Sequence, residues 1–150
     1  MELEKYISKN YLNLKDFTEL KKEDYLLSEP FPNIVLDDFF NEDYLKKILE
    51  EFPNLENLKN SSKYVNKNEI KFANNNFELF PKNLKNFINF LNSHEFINFI
   101  QSITSIKEPL KGDTELNGGG LHEIKNGGKL KIHTDFHLHP TLGFDRRLNI

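Results

Sequence analysis

GGGLHEIKNGGKLKIHTDFHLHP, residues 118–140, is the stretch whose reading decides the fold. Gly118-Gly119-Gly120 introduces a short strand expected over residues 121–124. Asn126-Gly127-Gly128 is a hairpin signal, because asparagine and glycine tolerate the positive φ angles of tight two-residue turns. A return strand is expected over residues 129–136, where alternation is strict. Leu130, Ile132, Thr134 and Phe136 fall on one face, and Lys129, Lys131, His133 and Asp135 on the other. Side chains two apart on a strand share a face, so an imidazole nitrogen of His133 and a carboxylate oxygen of Asp135 are expected side by side. Two corners of a 2-His-1-carboxylate metal site require that arrangement. The apolar face would pack on helices while the His133–Asp135 face lines a cavity.

The hairpin also bears on His122. A two-residue loop, either Asn126-Gly127 or Gly127-Gly128, turns His122 to the face of His133 and Asp135, opposite Lys131 or His133. A three-residue loop turns Leu121 and Glu123 inward instead, since a one-residue slip flips a strand. Two readings of His122 stay open: a residue that lines a cosubstrate pocket or supports a metal ligand, and a partly buried histidine satisfied by backbone. His137 and His139 continue the same phase, but Pro140 argues for a bend after Phe136 that puts both in a loop. Four of the five histidines thus fall between residues 122 and 139. Arg146 and Arg147 suit an acidic cosubstrate, although arginines so placed are more often solvated or paired with nearby carboxylates.

Upstream, residues 1–29 are polar with weak helical spacing and read as a helical or irregular arm. Ile34-Val35-Leu36 reads as a short strand after Pro30-Phe31-Pro32. Asn41 is a good N-cap for a helix with Tyr44, Leu45, Ile48, Leu49 and Phe52 on one face, stopped by Pro53. A strand is expected around Ile70-Lys71-Phe72, a helix from Asn83, and another capped by Ser93. The Phe and Ile stripes of these helices read as core. Helices first and strands later is α+β ordering.

Bulk properties narrow the classes of function. At 150 residues the chain is one domain by length, able to bury about two-thirds of its unfolded surface. The net charge of −3, with acidic and basic residues intermixed, suggests neither a nucleic-acid partner nor an acidic membrane. Without cysteine there are no disulfides and no thiolate metal sites. No run of about 18 apolar residues is present, and MELEKYISKN lacks the apolar stretch of a signal peptide. A soluble, cytoplasmic protein is expected.

GGGLHEIKNGGKLKIHTDFHLHP followed by RRLNI (146–150) resembles the core of iron(II)- and 2-oxoglutarate-dependent oxygenases, in the prolyl 4-hydroxylase-like branch. PFPNIVLDDFFNEDYLKKILEEFP (30–53) resembles the segment that precedes that core. The resemblance implies a double-stranded β-helix, the jelly-roll or cupin-like barrel, with His133 and Asp135 as the first two iron ligands. It implies Fe(II), O2 and 2-oxoglutarate as cofactor and cosubstrates, with ascorbate as an optional reductant. The reaction would be hydroxylation of a small-molecule or peptide substrate, coupled to decarboxylation of 2-oxoglutarate to succinate. No catalytic side chain beyond the metal ligands is implied, and the prime substrate is not readable. His137 stands where relatives often carry Asn.

The family also places a distal His ligand and a basic residue for the far carboxylate of 2-oxoglutarate on later strands. Neither position occurs in these 150 residues. The expectation is therefore an α+β fragment: an N-terminal arm over 1–29, then a partial oxygenase domain over 30–150 lacking the second half of its barrel, with N-terminal helices packed on it. The parent would be a dioxygenase, and no turnover is expected of the 150 residues alone. Two alternatives come from other classes. One is a non-catalytic remnant or interaction module. The other is a cupin-like metal protein that does not use 2-oxoglutarate, marked by His137 or His139 converging on His133.

Overall fold

Caps and apolar stripes place the helices where the sequence puts them. The computed structural model describes residues 3–67 and 69–150, so the first two residues of the expected arm lie outside the described residues. Four α-helices and one three-stranded antiparallel sheet are present among the described residues, an α+β architecture. The chain divides into two units, Met1–Phe52 with Pro81–Thr114, and Pro53–Phe80 with Glu115–Ile150. None of the described helices is long and apolar enough to cross a membrane.

The first unit holds α1 (Leu14–Leu26), α2 (Glu42–Glu51), α3 (Lys82–Leu91) and α4 (His94–Thr104). Asn41 caps α2, its side-chain oxygen accepting from the Tyr44 N–H at 3.1 Å, and Ser93 caps α4 through the Phe96 N–H at 3.3 Å. α3 begins after Pro81, which offers no side-chain cap. Glu51 supplies one instead: its carboxylate accepts from the Leu84 N–H at 3.0 Å and the Asn83 side-chain amide at 3.3 Å, a favourable place for negative charge. The core is aromatic. Tyr6 stacks on Phe90 at 4.5 Å, Phe39 stacks on Phe99 at 5.5 Å, and Phe90 and Phe96 are almost wholly buried. The Phe and Ile stripes are core, as read.

Ile34–Leu36 is not a strand, and Val35 is 79% exposed. The ladder-like pairing comes a few residues later. Ser8 N–H donates to Phe39 O and Asn41 N–H to Tyr6 O, both at 2.9 Å, around an Ile7–Phe40 bridge. Extended propensity alone does not make a strand where no partner backbone lies alongside.

The second unit carries β1 (Ser62–Val65), β2 (Ile70–Asn74) and β3 (Leu121–Glu123), in that order across the sheet. Phe72 pairs with Glu123, Ala73 with His122 and Asn74 with Leu121. Asn74, 2% exposed, is fully used: it donates to Lys59 O and Ser61 Oγ and accepts from the Asn76 N–H. Leu55, Phe72, Phe80, Leu116 and Leu121 are the other buried side chains of this unit.

The expected hairpin does not form. Asn126-Gly127 is a turn, closed by Gly128 N–H to Lys125 O at 2.7 Å with Gly127 at φ +79°. Asn126 is not among the residues with positive φ, so the turn lacks the two positive φ angles of the type I′ hairpin turn and does not fold the chain back on β3. The chain instead rejoins β2. Ile70 N–H donates to Lys129 O at 2.9 Å, and Leu130 bridges Glu69. Both sides of the turn therefore run along one partner, with the turn looped out between them.

Residues 131–136 consequently have no ladder, and the expected strand over 129–136 is corrected to a segment without regular secondary structure beyond the bridge at Leu130. Ile132, expected to face helices, is fully exposed, at 105%. Beyond it the chain reverses around Pro140–Gly143, with His139 N–H to Phe144 O at 2.8 Å and Arg146 N–H to His137 O at 2.6 Å. Residues 146–150 do not open a strand.

Candidate functional site

His133 and Asp135 come together without the strand that was expected to align them. His133 Nε2 lies 3.5 Å from Asp135 Oδ1, with the two side chains 49% and 43% exposed. His133 Nδ1 is 2.8 Å from Lys131 O. A carbonyl only accepts, so Nδ1 carries the hydrogen, and Nε2 of the neutral ring is left as a bare lone pair. That lone pair faces a carboxylate oxygen. Two electron-rich atoms so placed attract only if a proton or a cation lies between them.

The separation suits a cation. Metal–nitrogen and metal–oxygen bonds of about 2.1 Å let one ion touch both atoms, and the hydrogen bond at Nδ1 fixes the tautomer that ligation through Nε2 requires. The pair thus fits two positions of a metal site. It does not make a complete one: no group of three or more His, Cys, Asp or Glu side chains among the described residues is placed to hold a metal ion.

Asp135 Oδ2, the other carboxylate oxygen, faces Arg146 Nη2 at 3.5 Å and Asn149 Nδ2 at 3.4 Å. The Arg146 guanidinium lies over the Phe136 ring, 5.0 Å from its centroid. Of the two readings of Arg146, carboxylate pairing is the one observed. Asn149 as a partner of Asp135 was not anticipated, and no motif spacing signals it.

His122 sits on β3 opposite Ala73, so the registers that set it against Lys131 or His133 are corrected. Partial burial and the nearby Lys71 ammonium hold its pKa below the ordinary histidine value, against opposing effects of the Gly119 backbone and Asp135. The Asp135 effect puts the two groups within electrostatic range, yet they form no ligand group with His133. His139 is used locally: its Nδ1 accepts from the Thr141 N–H at 3.3 Å and the Leu142 N–H at 3.1 Å. The nitrogen that would bind a metal there is holding a turn. His137 is exposed, and its backbone oxygen anchors Arg146.

No family model, no curated protein and no solved structure matches the chain.

Proposed function

We propose that residues 30–150 belong to an Fe(II)- and 2-oxoglutarate-dependent dioxygenase domain of jelly-roll type, in which His133 and Asp135 are two of the metal ligands. The observation that carries this reading is His133 Nε2 standing 3.5 Å from Asp135 Oδ1, with His133 Nδ1 turned to Lys131 O at 2.8 Å. Bound there, iron with 2-oxoglutarate would supply oxidative hydroxylation. The chain's own contribution is to fix the imidazole tautomer through Lys131 O and to leave the pair open to solvent, so that a chelating cosubstrate has access. No group of three or more His, Cys, Asp or Glu side chains among the described residues supplies the third ligand. His122, within electrostatic range of Asp135, is the candidate to line the cosubstrate pocket.

Titration with Mn(II) in the presence and absence of 2-oxoglutarate tests the proposal. Mn(II) should bind more tightly with 2-oxoglutarate present, because binding of the two is thermodynamically linked. His133→Ala and Asp135→Ala should abolish both. Binding that ignores 2-oxoglutarate would leave a metal site that is not an oxygenase, and binding that survives both substitutions would overturn the reading. No succinate is expected from the 150 residues alone, since no described group of three or more His, Cys, Asp or Glu side chains is placed to hold the metal.

A second reading, an interaction module, draws on a separate observation. Leu130, Ile132, Leu138, Leu142 and Phe144 are all exposed, and they lie in one continuous segment. If they form a docking surface, Ile132→Ser should lower association of the chain with itself or a partner in sedimentation, with Mn(II) binding unchanged.

A further inference from the structure

Asp135 has two oxygens, and the fold treats them differently. Oδ1 faces His133 Nε2 at 3.5 Å, whereas Oδ2 faces Arg146 Nη2 at 3.5 Å and Asn149 Nδ2 at 3.4 Å. Arg146 is itself held from several sides. Its backbone N–H donates to His137 O at 2.6 Å, its guanidinium lies over the Phe136 ring, and its Nη2 donates to Asn149 Oδ1. Gly118 completes the seat. A Cβ on Gly118 would lie 2.5 Å from Phe136 Cε1 and 3.2 Å from Arg146 Nη1, so the close approach requires glycine. Asn149 joins the arrangement through both ends of its amide, accepting from Arg146 and donating to Asp135.

We propose that Arg146 and Asn149 are positioning residues that hold Asp135 Oδ2 away from the metal position and present Oδ1, beside His133 Nε2, as a single-oxygen ligand. This rests on the metal-site reading above. A free carboxylate rotates and can chelate through both oxygens. One whose Oδ2 is engaged by two donors offers one oxygen in a fixed direction, which leaves more of the metal's positions open. Outer partners of this kind typically change metal affinity by about 10–100-fold when removed. The Arg146 charge works against this, because it repels a nearby cation. Asn149 is neutral and orients the same oxygen, so substitutions at the two positions separate orientation from charge.

The test is Mn(II) affinity of the full chain, read by water proton relaxation, for the parent, Arg146→Ala, Arg146→Lys, Asn149→Ala and His133→Ala. Circular dichroism checks that each variant folds. Arg146→Ala and Asn149→Ala should each weaken Mn(II) binding by at least about tenfold. Arg146→Lys, which keeps a donor beside Oδ2, should stay within about threefold of the parent, a rescue that a merely structural role would not give. His133→Ala should abolish binding. If Arg146→Ala does not fold, Asn149→Ala alone decides. Parent-like or tighter binding in Asn149→Ala, with His133→Ala still abolishing it, overturns the positioning role and leaves the metal site standing. Arg146→Lys as weak as Arg146→Ala also overturns it, assigning the effect to packing on Phe136. Unchanged binding in His133→Ala overturns the metal site itself.

Discussion

Glu51 accepts from the Leu84 N–H and the Asn83 amide at the start of α3, doing from the end of α2 what Pro81 cannot do from the cap position. Glu51→Ala should therefore cost about 0.5–2 kcal/mol, the range for losing a helix cap, measured by urea unfolding. Glu50→Ala, an exposed neighbour, is the control and should change little. His122 makes a second prediction at this scale. Its folded pKa lies below the ordinary 6.5, so the folded state resists a proton that the unfolded state accepts. Stability linked to His122 is then full above pH 6.5 and falls as the pH drops through the depressed folded value. Imidazole NMR should find His122 titrating below 6.5, and His122→Asn should flatten the acid side of the stability profile. Titration at or above 6.5 would contradict this. The nearness of His133 and Asp135 was expected from their spacing of two residues, and their side chains do lie 3.5 Å apart. Asn149 was not legible, because its contact with Asp135 depends on the reversal at Pro140–Gly143, which no local periodicity encodes.

Elements fared according to how local their causes are. α2 and α4 carry their own caps, Asn41 and Ser93, so both helices were readable from sequence; the stripe of α4 is buried at Phe96, Phe99 and Ile103, whereas in α2 only Tyr44 and Ile48 are buried and Leu45, Leu49 and Phe52 are exposed. The expected strand over 34–36 and residues 131–136 of the expected return strand had propensity or alternation but no paired neighbour, and pairing is not written in the strand itself. The Asn126-Gly127-Gly128 turn does form, yet its φ angles do not suit a hairpin, and the chain rejoins β2. Amide hydrogen exchange should report this directly. Residues 131–136 should exchange near unprotected rates while Phe72 and Asn74 in β2 are protected. Protection at 131, 133 and 135 like that in β2 would restore the hairpin. The glycines divide in the same way. At Gly120, φ is +94° and a Cβ would meet Asn74 O at 2.5 Å, whereas at Gly127, φ is +79° with nothing within 4 Å. Gly120→Ala should cost about 1–3 kcal/mol or more, and Gly127→Ala only the backbone strain of about 1–2 kcal/mol. Equal costs in urea unfolding would contradict the close approach.

On the scale of the whole molecule, the expected α+β class is borne out among the described residues by four helices and a three-stranded sheet, although β1 and β2 fall between α2 and α3 rather than after the helices. The jelly-roll was an inference from resemblance, and barrel closure depends on long-range strand pairing that a single sequence does not specify. The chemistry rests on a smaller base: an imidazole lone pair and a carboxylate oxygen 3.5 Å apart, with the second carboxylate oxygen engaged by Arg146 and Asn149. In the proposed metal site, two half-exposed side chains would leave water to fill the other positions, so affinity should be weak, with a Kd above about 1 μM. The most direct test is therefore site-resolved. Mn(II) is added to the isotopically labelled chain without oxygen, and paramagnetic broadening of imidazole and backbone resonances is mapped by NMR. Broadening should be strongest at His133 and Asp135, weaken through Asn149 and the Arg146 guanidinium towards the His139 turn, and vanish in His133→Ala. Broadening centred on His137 or His139, persisting in His133→Ala, would contradict the account.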